Sequence, residues 1–272
     1  MSNNDSTPSS SPVAEASSLN VLLAEDNVTN QKLAVAILRK HGHRVTIAGD
    51  GKQALEFYAR EKFDLILMDM QMPEMDGIEA TIAIRLLEQS TGTRIPIVAV
   101  TANAMLGDRE RCLNAGMDDY VSKPLRAEGL VTTIQRVIAL SKSKTPAPEN
   151  IPASSDASDV FDYAASVSQV GDDAELLGQL ACVFLEQLPQ LLPPLAAAVA
   201  ASDARAIRQS AHALSSSVSV LVATRARNCA RKLESMGMNS ELETAMQTHI
   251  ELLAEFETLK KILLSTPSLK AA

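Results

Sequence analysis

Carboxylate, hydroxyl and ammonium side chains recur in the first half of the chain where apolar segments end. These side chains belong to Glu25, Asp26, Asp69, Thr101 and Lys123. Three carboxylates that meet repel one another unless a divalent cation lies among them, and Mg²⁺ favours a few carboxylates with its other sites left to water and substrate oxygens. The hydroxyl and the ammonium then remain to hold phosphoryl oxygens. The set therefore predicts metal-assisted phosphoryl transfer onto a carboxylate nucleophile.

The segment before Asp69 predicts where that carboxylate lies. Residues 65–68 form a short continuous apolar run, typical of a strand covered on both faces, and Asp69 follows it directly. Pro73 and the Asp76-Gly77 pair then favour a turn that leads into a helix. In an open α/β sheet, ligands bind outside the carboxyl ends of the strands. Asp69 is thus placed for chemistry.

The elements that must position these residues alternate between strand and helix patterns over residues 19–140. Strands are predicted near 20–24, 44–48, 64–69, 95–101 and 119–121, and helices near 30–41, 52–60, 78–89, 108–115 and 127–140. Five such units with short connections predict an α/β fold with a doubly wound five-stranded parallel sheet. All five polar side chains then face one crevice.

The second half of the chain carries only helical patterns. Residues 141–158 are rich in Pro and Ser and are predicted to be a linker. Helices follow near 174–188, 193–201, 204–220, 223–236 and 241–264, which predicts an all-α helical bundle over residues 159–266. The polar residues 1–18 are predicted to form a disordered tail, and residues 267–272 a frayed end.

Composition narrows the class of protein. A net charge of -8 and a pI near 5.1 argue against nucleic acid as the main partner, because duplex binding needs a basic face. Three widely spaced cysteines fit reduced thiols. We expect no membrane span, since no apolar run approaches the roughly 18 residues required, and no signal peptide. The sequence predicts a cytoplasmic protein.

Residues 19–140 contain four distinctive motifs: AEDN at 24–27, LILMDMQMPEMDG at 65–77, VAVTANA at 98–104 and YVSKPL at 120–125. With these motifs the segment resembles a response-regulator receiver domain. The resemblance implies a flavodoxin-like fold with Asp69 as the phosphoacceptor. It also implies the following roles: Mg²⁺ ligands at Glu25, Asp26, Asp69 and the backbone carbonyl of Gln71, phosphoryl binding by Thr101 and Lys123, a switch position at Tyr120, and a cis Lys123-Pro124 bond.

His212 is the informative residue of the helical half. Helical periodicity places it on the polar face of its helix, which predicts that it is solvent-accessible. Its AHAL segment, with Leu233-Glu234 downstream, resembles a histidine phosphotransfer (HPt) domain, and the resemblance implies a four-helix bundle with His212 as the phosphorylated residue. The family usually has Lys-Gly where this chain has Ser215 and Ser216. Arg208, one turn before His212, could partly substitute for that lysine.

Together the two resemblances imply a two-component phosphorelay protein. Asp69 would take a phosphoryl group from a sensor histidine kinase and exchange it with His212, which links it to a downstream response regulator receiver. No ATP-binding GxxxxGK[ST] signature occurs, so the chain is not expected to be a kinase. Two alternatives stay open: a receiver switch with an inert or docking helical domain, and a phosphoryl sink. A flexible linker of about 17 residues reaches roughly 23 Å, so both sites can meet within one molecule.

Overall fold

A five-stranded parallel sheet forms the first part of the structure. The computed structural model describes residues 18–101, 111–142, 160–266 and 269. The strands are β1 (Asn20–Ala24), β2 (Arg44–Ala48), β3 (Leu65–Asp69), β4 (Ile97–Thr101) and β5 (Asp119–Ser122), in the order β2-β1-β3-β4-β5. The predicted doubly wound sheet is confirmed.

The register of the sheet brings the strand ends together. β3 is central, and all five of its residues are buried because helices cover both faces of the sheet. Ala24 pairs with Met68, Asp69 with Val100, and Thr101 with Ser122. The residues that follow β1, β3, β4 and β5 therefore meet at one edge.

Four described helices flank the sheet. They are α1 (Val28–Lys40), α2 (Gly51–Arg60), α3 (Gly77–Thr91) and α4 (Ala127–Lys142). The Asn27 side chain caps α1, and Asp76 with Glu79 forms a capping box on α3. These caps fix where α1 begins after β1 and where α3 begins after β3. A short helical segment covers residues 111–114, and the rest of the helix predicted near 108–115 lies partly outside the described residues.

The described residues 160–266 contain helices and no strands. They form α5 (Tyr163–Gln169), α6 (Ala174–Ala200), α7 (Ala204–Ser219), α8 (Thr224–Asn239) and α9 (Ala245–Ser265). α7 packs between α6 and α8, and α9 closes the bundle against α6 and α8. The rings of Phe184 on α6 and Phe256 on α9 lie 5.9 Å apart in its core. The predicted helical bundle is confirmed.

Two details of the bundle differ from the prediction. α6 is a single helix, although the prolines at 189, 193 and 194 predict two. All three prolines lie on its exposed side, where water can satisfy the carbonyls that they leave unpaired, while Leu188 and Leu195 continue its buried side. The short α5 was not predicted, because seven residues give too little periodicity to recognise.

Among the described residues one helix, α6, is long and apolar enough to cross a bilayer, although no membrane span is predicted from the sequence. Length and composition are weak evidence for such a role. Core helices of bundles meet the same criteria, and the side chains of Leu177, Phe184 and Leu195 on α6 are fully buried.

The sheet domain packs directly on the helical bundle. α1 lies against α6 and α7, and Lys40 Nζ donates to the carbonyl of Gly171 at 3.1 Å. Gly171 has a φ of 77°, and a Cβ there would lie 3.4 Å from Ala127 Cβ.

Most of the predicted tail 1–18, linker 141–158 and end 267–272 lies outside the described residues, so those boundaries stay predictions.

Gly237 tests how tightly α7 and α8 must pack. A Cβ at this position would lie 2.6 Å from both the Ala204 carbonyl oxygen and the Arg208 nitrogen. We expect Gly237→Ala to lower the free energy of unfolding by roughly 1–3 kcal/mol, because backbone cannot yield as a side chain does. Gly129→Ala on α4 is the control, since nothing lies within 4 Å of its Cβ. Urea denaturation that finds the two variants equally stable would contradict this packing.

Candidate functional site

Three carboxylates meet at the carboxyl edge of the sheet. Oxygens of Glu25, Asp26 and Asp69 all lie within 4.8 Å of one another. Glu25 and Asp69 are 1% exposed, and Asp26 is half-buried. The first two residues follow β1 and the third ends β3, as the strand register requires.

The ammonium of Lys123 lies among these carboxylates. Its Nζ is 2.5 Å from Asp69 Oδ2 and 2.9 Å from Glu25 Oε2. Glu25 Oε1 also accepts from Asn30 Nδ2 at 3.1 Å and from the Asn27 N–H at 3.2 Å. Glu25 is therefore held in place by donors from α1 and from the loop after β5.

The electrostatics of the cluster show an excess of negative charge. Burial raises the pKa of Glu25 to about 8, and the charge of Asp69 adds to this while Lys123 opposes it. Burial and Asp69 likewise raise the pKa of Asp26. Burial alone would lower the pKa of Lys123, but Asp69 and Glu25 outweigh it and raise that pKa. One ammonium does not neutralise three carboxylates.

The donor set fits a hard divalent cation. Carboxylate oxygens are the ligands that Mg²⁺ prefers. Burial and, after it, the charge of Asp69 raise the pKa of Glu25 and Asp26, and the charge of the ion would relieve the repulsion from Asp69. Gln71 lies beside this set, with its N–H donating to Asp69 Oδ1 at 3.2 Å.

The remaining residues predicted for this site lie at or near the same edge. Thr101 ends β4, is 4% exposed, and its carbonyl accepts from the Lys123 N–H at 2.6 Å. Tyr120 on β5 is half-buried against the core that α2 and α3 cover. The Lys123-Pro124 bond is cis.

His212 on α7 is buried rather than solvent-accessible, so that prediction is wrong. Its side chain is 9% exposed, and its Nδ1 lies 2.9 Å from Glu234 Oε1 on α8. Helical periodicity correctly separates His212 from the apolar stripe of α7. The sheet domain, however, covers this polar face, and periodicity within one helix carries no information about such a neighbour.

Gln71 provides the contact between the two sites. In the orientation that satisfies its amide, the nitrogen lies 2.7 Å from His212 Nδ1 and 3.3 Å from Glu234 Oε1. The amide oxygen accepts from the Arg208 guanidinium at 3.2 Å. Residue 71 is thus adjacent to Asp69 on one side and to the histidine on the other.

Small residues on α7 permit this approach. Ser215, Ser216 and Ser217 are all buried, and Ser216 Oγ lies 3.4 Å from His212 Nε2. Ser217 Oγ accepts from Asn27 Nδ2 at 2.6 Å. A long cationic side chain at 215 would have to fit where the structure buries a hydroxyl.

The pKa of His212 reflects both domains. Burial alone would lower it, but the hydrogen bond to Glu234 and its charge, with a contribution from Asp69, raise it, while Lys123 opposes them. The imidazole is therefore close enough to the carboxylate edge for Asp69 and Lys123 to affect its pKa.

The sequence did not predict that Thr29, Gln187 and Ser217 form contacts between the domains. The only one of the three with a sequence signal is Thr29, which lies close after the AEDN motif.

Comparison with known proteins identifies the two domains. The family model of the response regulator receiver domain matches residues 21–135, and that of the Hpt domain matches residues 179–262. The chain contains a receiver domain followed by an Hpt domain. The order and the matched residues agree with the sheet and the bundle described above.

Curated relatives include histidine kinases. Hybrid signal transduction histidine kinase I of Dictyostelium discoideum is 50% identical over 139 residues, 48% of this chain and 8% of that protein. Signal transduction histidine-protein kinase BarA of Shigella flexneri is 30% identical over 257 residues, 92% of this chain. The chain spans 28% of the length of that relative, so both relatives are much longer than the part they share.

Two solved structures are similar to the chain over less than half of its length. The receiver domain of a Pseudomonas aeruginosa PAO1 sensor histidine kinase, crystallised with magnesium, is 47% identical and covers 45% of this chain and 99% of its own, with a TM-score of 0.42. The complex of the Saccharomyces cerevisiae phosphotransfer protein Ypd1 with the Ssk1 receiver gives 33% identity, covers 46% of this chain and 91% of the matched chain, and has a TM-score of 0.44.

Glu234→Gln tests whether the Glu234 carboxylate raises the pKa of His212. Without the carboxylate, the pKa of His212 should fall, because burial then dominates. A raised folded pKa stabilises the folded chain at pH below about 6.5, and this stabilisation is lost as pH rises through the folded pKa. NMR titration of the His212 ring measures the shift, with the exposed Glu241→Gln as the control. An unchanged His212 pKa in Glu234→Gln would refute this role.

Proposed function

We propose that the chain is a phosphorelay protein in which Asp69 and His212 exchange a phosphoryl group. The observation that carries the proposal is that the receiver covers His212, so that Gln71, two residues from Asp69, contacts the imidazole and the charge of Asp69 affects its pKa. Homology of both domains to regions of histidine kinases supports the same function.

The residues of the receiver have distinct roles in this exchange. Asp69 attacks the phosphorus atom, so that an O–P bond forms as the N–P bond to His212 breaks, and the reverse exchange returns the group. Lys123 and Thr101 would hold the phosphoryl oxygens, and Tyr120 would respond to their movement. Mg²⁺, held by Glu25, Asp26, Asp69 and the carbonyl of Gln71, would stabilise the transferred charge.

Residues of the Hpt domain determine which ring nitrogen of His212 would be phosphorylated. Glu234 engages His212 Nδ1 at 2.9 Å, which fixes the ring and leaves Nε2 as the nitrogen for phosphorylation. Arg208 holds the Gln71 amide and would supply the positive charge that the family resemblance assigns to a lysine three positions after the histidine.

Partners follow from the chemistry. The phosphoryl group would come from a phosphohistidine of a sensor histidine kinase, since the two relatives described above are histidine kinases. A downstream response regulator receiver would take it from His212. We place these reactions in the cytoplasm, and neither domain matched in the chain is a kinase domain.

A second function is favoured by one observation. Ser215 occupies the place of the usual lysine, and the receiver is docked on the Hpt domain without it. The chain would then be a receiver switch whose helical domain serves for docking. Labelling of His212 separates the two functions.

Phosphoryl transfer to the full chain tests the relay. With a separately phosphorylated receiver as donor, we expect alkali-stable, acid-labile label on the wild type and on the control His249→Gln. His212→Gln should lose this label, and Asp69→Asn should lose the acyl phosphate. Label on Asp69 alone in the wild type would reject the relay and support the switch.

Asp26→Asn tests the proposed Mg²⁺ site. Removing one of three carboxylates should weaken Mg²⁺ binding at least about tenfold, because even partners outside the ligand set often cost that much. Isothermal titration calorimetry measures the affinity, with Asp172→Asn as the control, an exposed position with a φ of 60° that asparagine tolerates. Equal affinity in the two variants would place the ion elsewhere.

A further inference from the structure

The receiver of the same chain covers the imidazole of His212. Glu234 Oε1 lies 2.9 Å from His212 Nδ1, the Gln71 amide nitrogen of the receiver lies 2.7 Å from the same atom, and the His212 side chain is only 9% exposed. Any receiver that exchanges a phosphoryl group with His212 must bring its carboxylate to Nε2. It must therefore occupy the place where this chain's own receiver lies.

Two side-chain to side-chain hydrogen bonds join the start of α1 to this face. Asn27 Nδ2 donates to Ser217 Oγ at 2.6 Å, and Thr29 Oγ1 donates to Gln187 Oε1 at 2.9 Å. In both pairs the receiver supplies the donor and the Hpt domain the acceptor. Ser217 is fully buried and Gln187 is half-buried, so a receiver without the Asn27 donor would leave the Ser217 acceptor unsatisfied.

The cap of α1 fixes the polarity of the first pair. Asn27 Oδ1 accepts from the N–H groups of Thr29 and Asn30 at 3.0 and 3.2 Å. The amide nitrogen must then point away from the helix, towards Ser217. The start of α1 is therefore a preorganised donor and need not change to dock.

We propose that this chain's own receiver is the preferred occupant of the Hpt face formed by Gln187, His212 and Ser217, and that it excludes a second receiver until it leaves. This inference rests on the proposed exchange at His212. It assigns Asn27 and Thr29 as the residues that determine which receiver the face accepts. Transfer to a receiver in another molecule is then limited by separation of the two domains.

Transfer between two full-length variants tests the exclusion. The donor carries Asp69→Asn and is phosphorylated on His212, and the acceptor carries His212→Gln and an intact Asp69. Thr29→Val is added to the donor only, where it removes the hydroxyl, keeps the volume and leaves the Hpt face unchanged for the incoming receiver. The matched control is Thr46→Val on the edge strand β2.

We expect Thr29→Val in the donor to raise the rate of transfer to the acceptor about fivefold, the change that loss of one hydrogen bond produces. Thr46→Val should leave the rate unchanged. An equal or lower rate with Thr29→Val would overturn the exclusion. Absence of transfer from every donor would instead count against the proposed exchange.

Hydrogen exchange tests the docking without any phosphoryl chemistry. Amide exchange of residues 204–219 in the unphosphorylated chain should be faster with Thr29→Val than with wild type or Thr46→Val, because separation of the receiver exposes α7. Identical exchange in all three proteins would show that the Thr29 contact does not hold the receiver in place, and the inference would fail even if transfer occurs.

Discussion

The site depends on the ion pairs that the Lys123 ammonium forms with two buried carboxylates. The ammonium contacts Asp69 and Glu25 at 2.5 and 2.9 Å, in a place where each carboxylate is nearly inaccessible to water. Buried like charges are tolerated only with a counter-charge. One ammonium leaves an excess of negative charge, and burial together with the charge of Asp69 raises the pKa of Glu25. That excess is what makes the edge of the sheet suited to a divalent cation and a phosphoryl group. The sheet order serves this arrangement by setting β5, which Lys123 directly follows, beside β4.

The same geometry links the site to the second domain. The loop that follows Asp69 carries Gln71, and the start of α1 carries Asn27 and Thr29, so two segments next to the carboxylates also contact the Hpt domain. Docking and chemistry thus use neighbouring residues. Gln71 belongs to both, because its N–H contacts Asp69 and its amide contacts His212 and Arg208.

Much of this arrangement follows from local pattern. The apolar run before Asp69 requires a buried strand, and the strand register requires that Glu25, Thr101 and Lys123 lie near its end. The bundle is likewise evident from helical periodicity. The sequence pattern predicts two helices where the structure has the single helix α6, because its three prolines lie on an exposed face that tolerates them. It also misses α5, which is too short to show helical periodicity.

The sequence by itself determined the two domains, the residues at the strand ends and the separation of His212 from the apolar stripe of its helix, because each depends on spacing along one element. Only the tertiary structure decided that His212 is buried, that Glu234 fixes its ring, and that Thr29, Gln187 and Ser217 join the domains. These contacts connect residues about 20 to 190 positions apart. Their pairing depends on how the surfaces of the folded helices and domains fit together. Periodicity within a single helix or strand does not encode that fit.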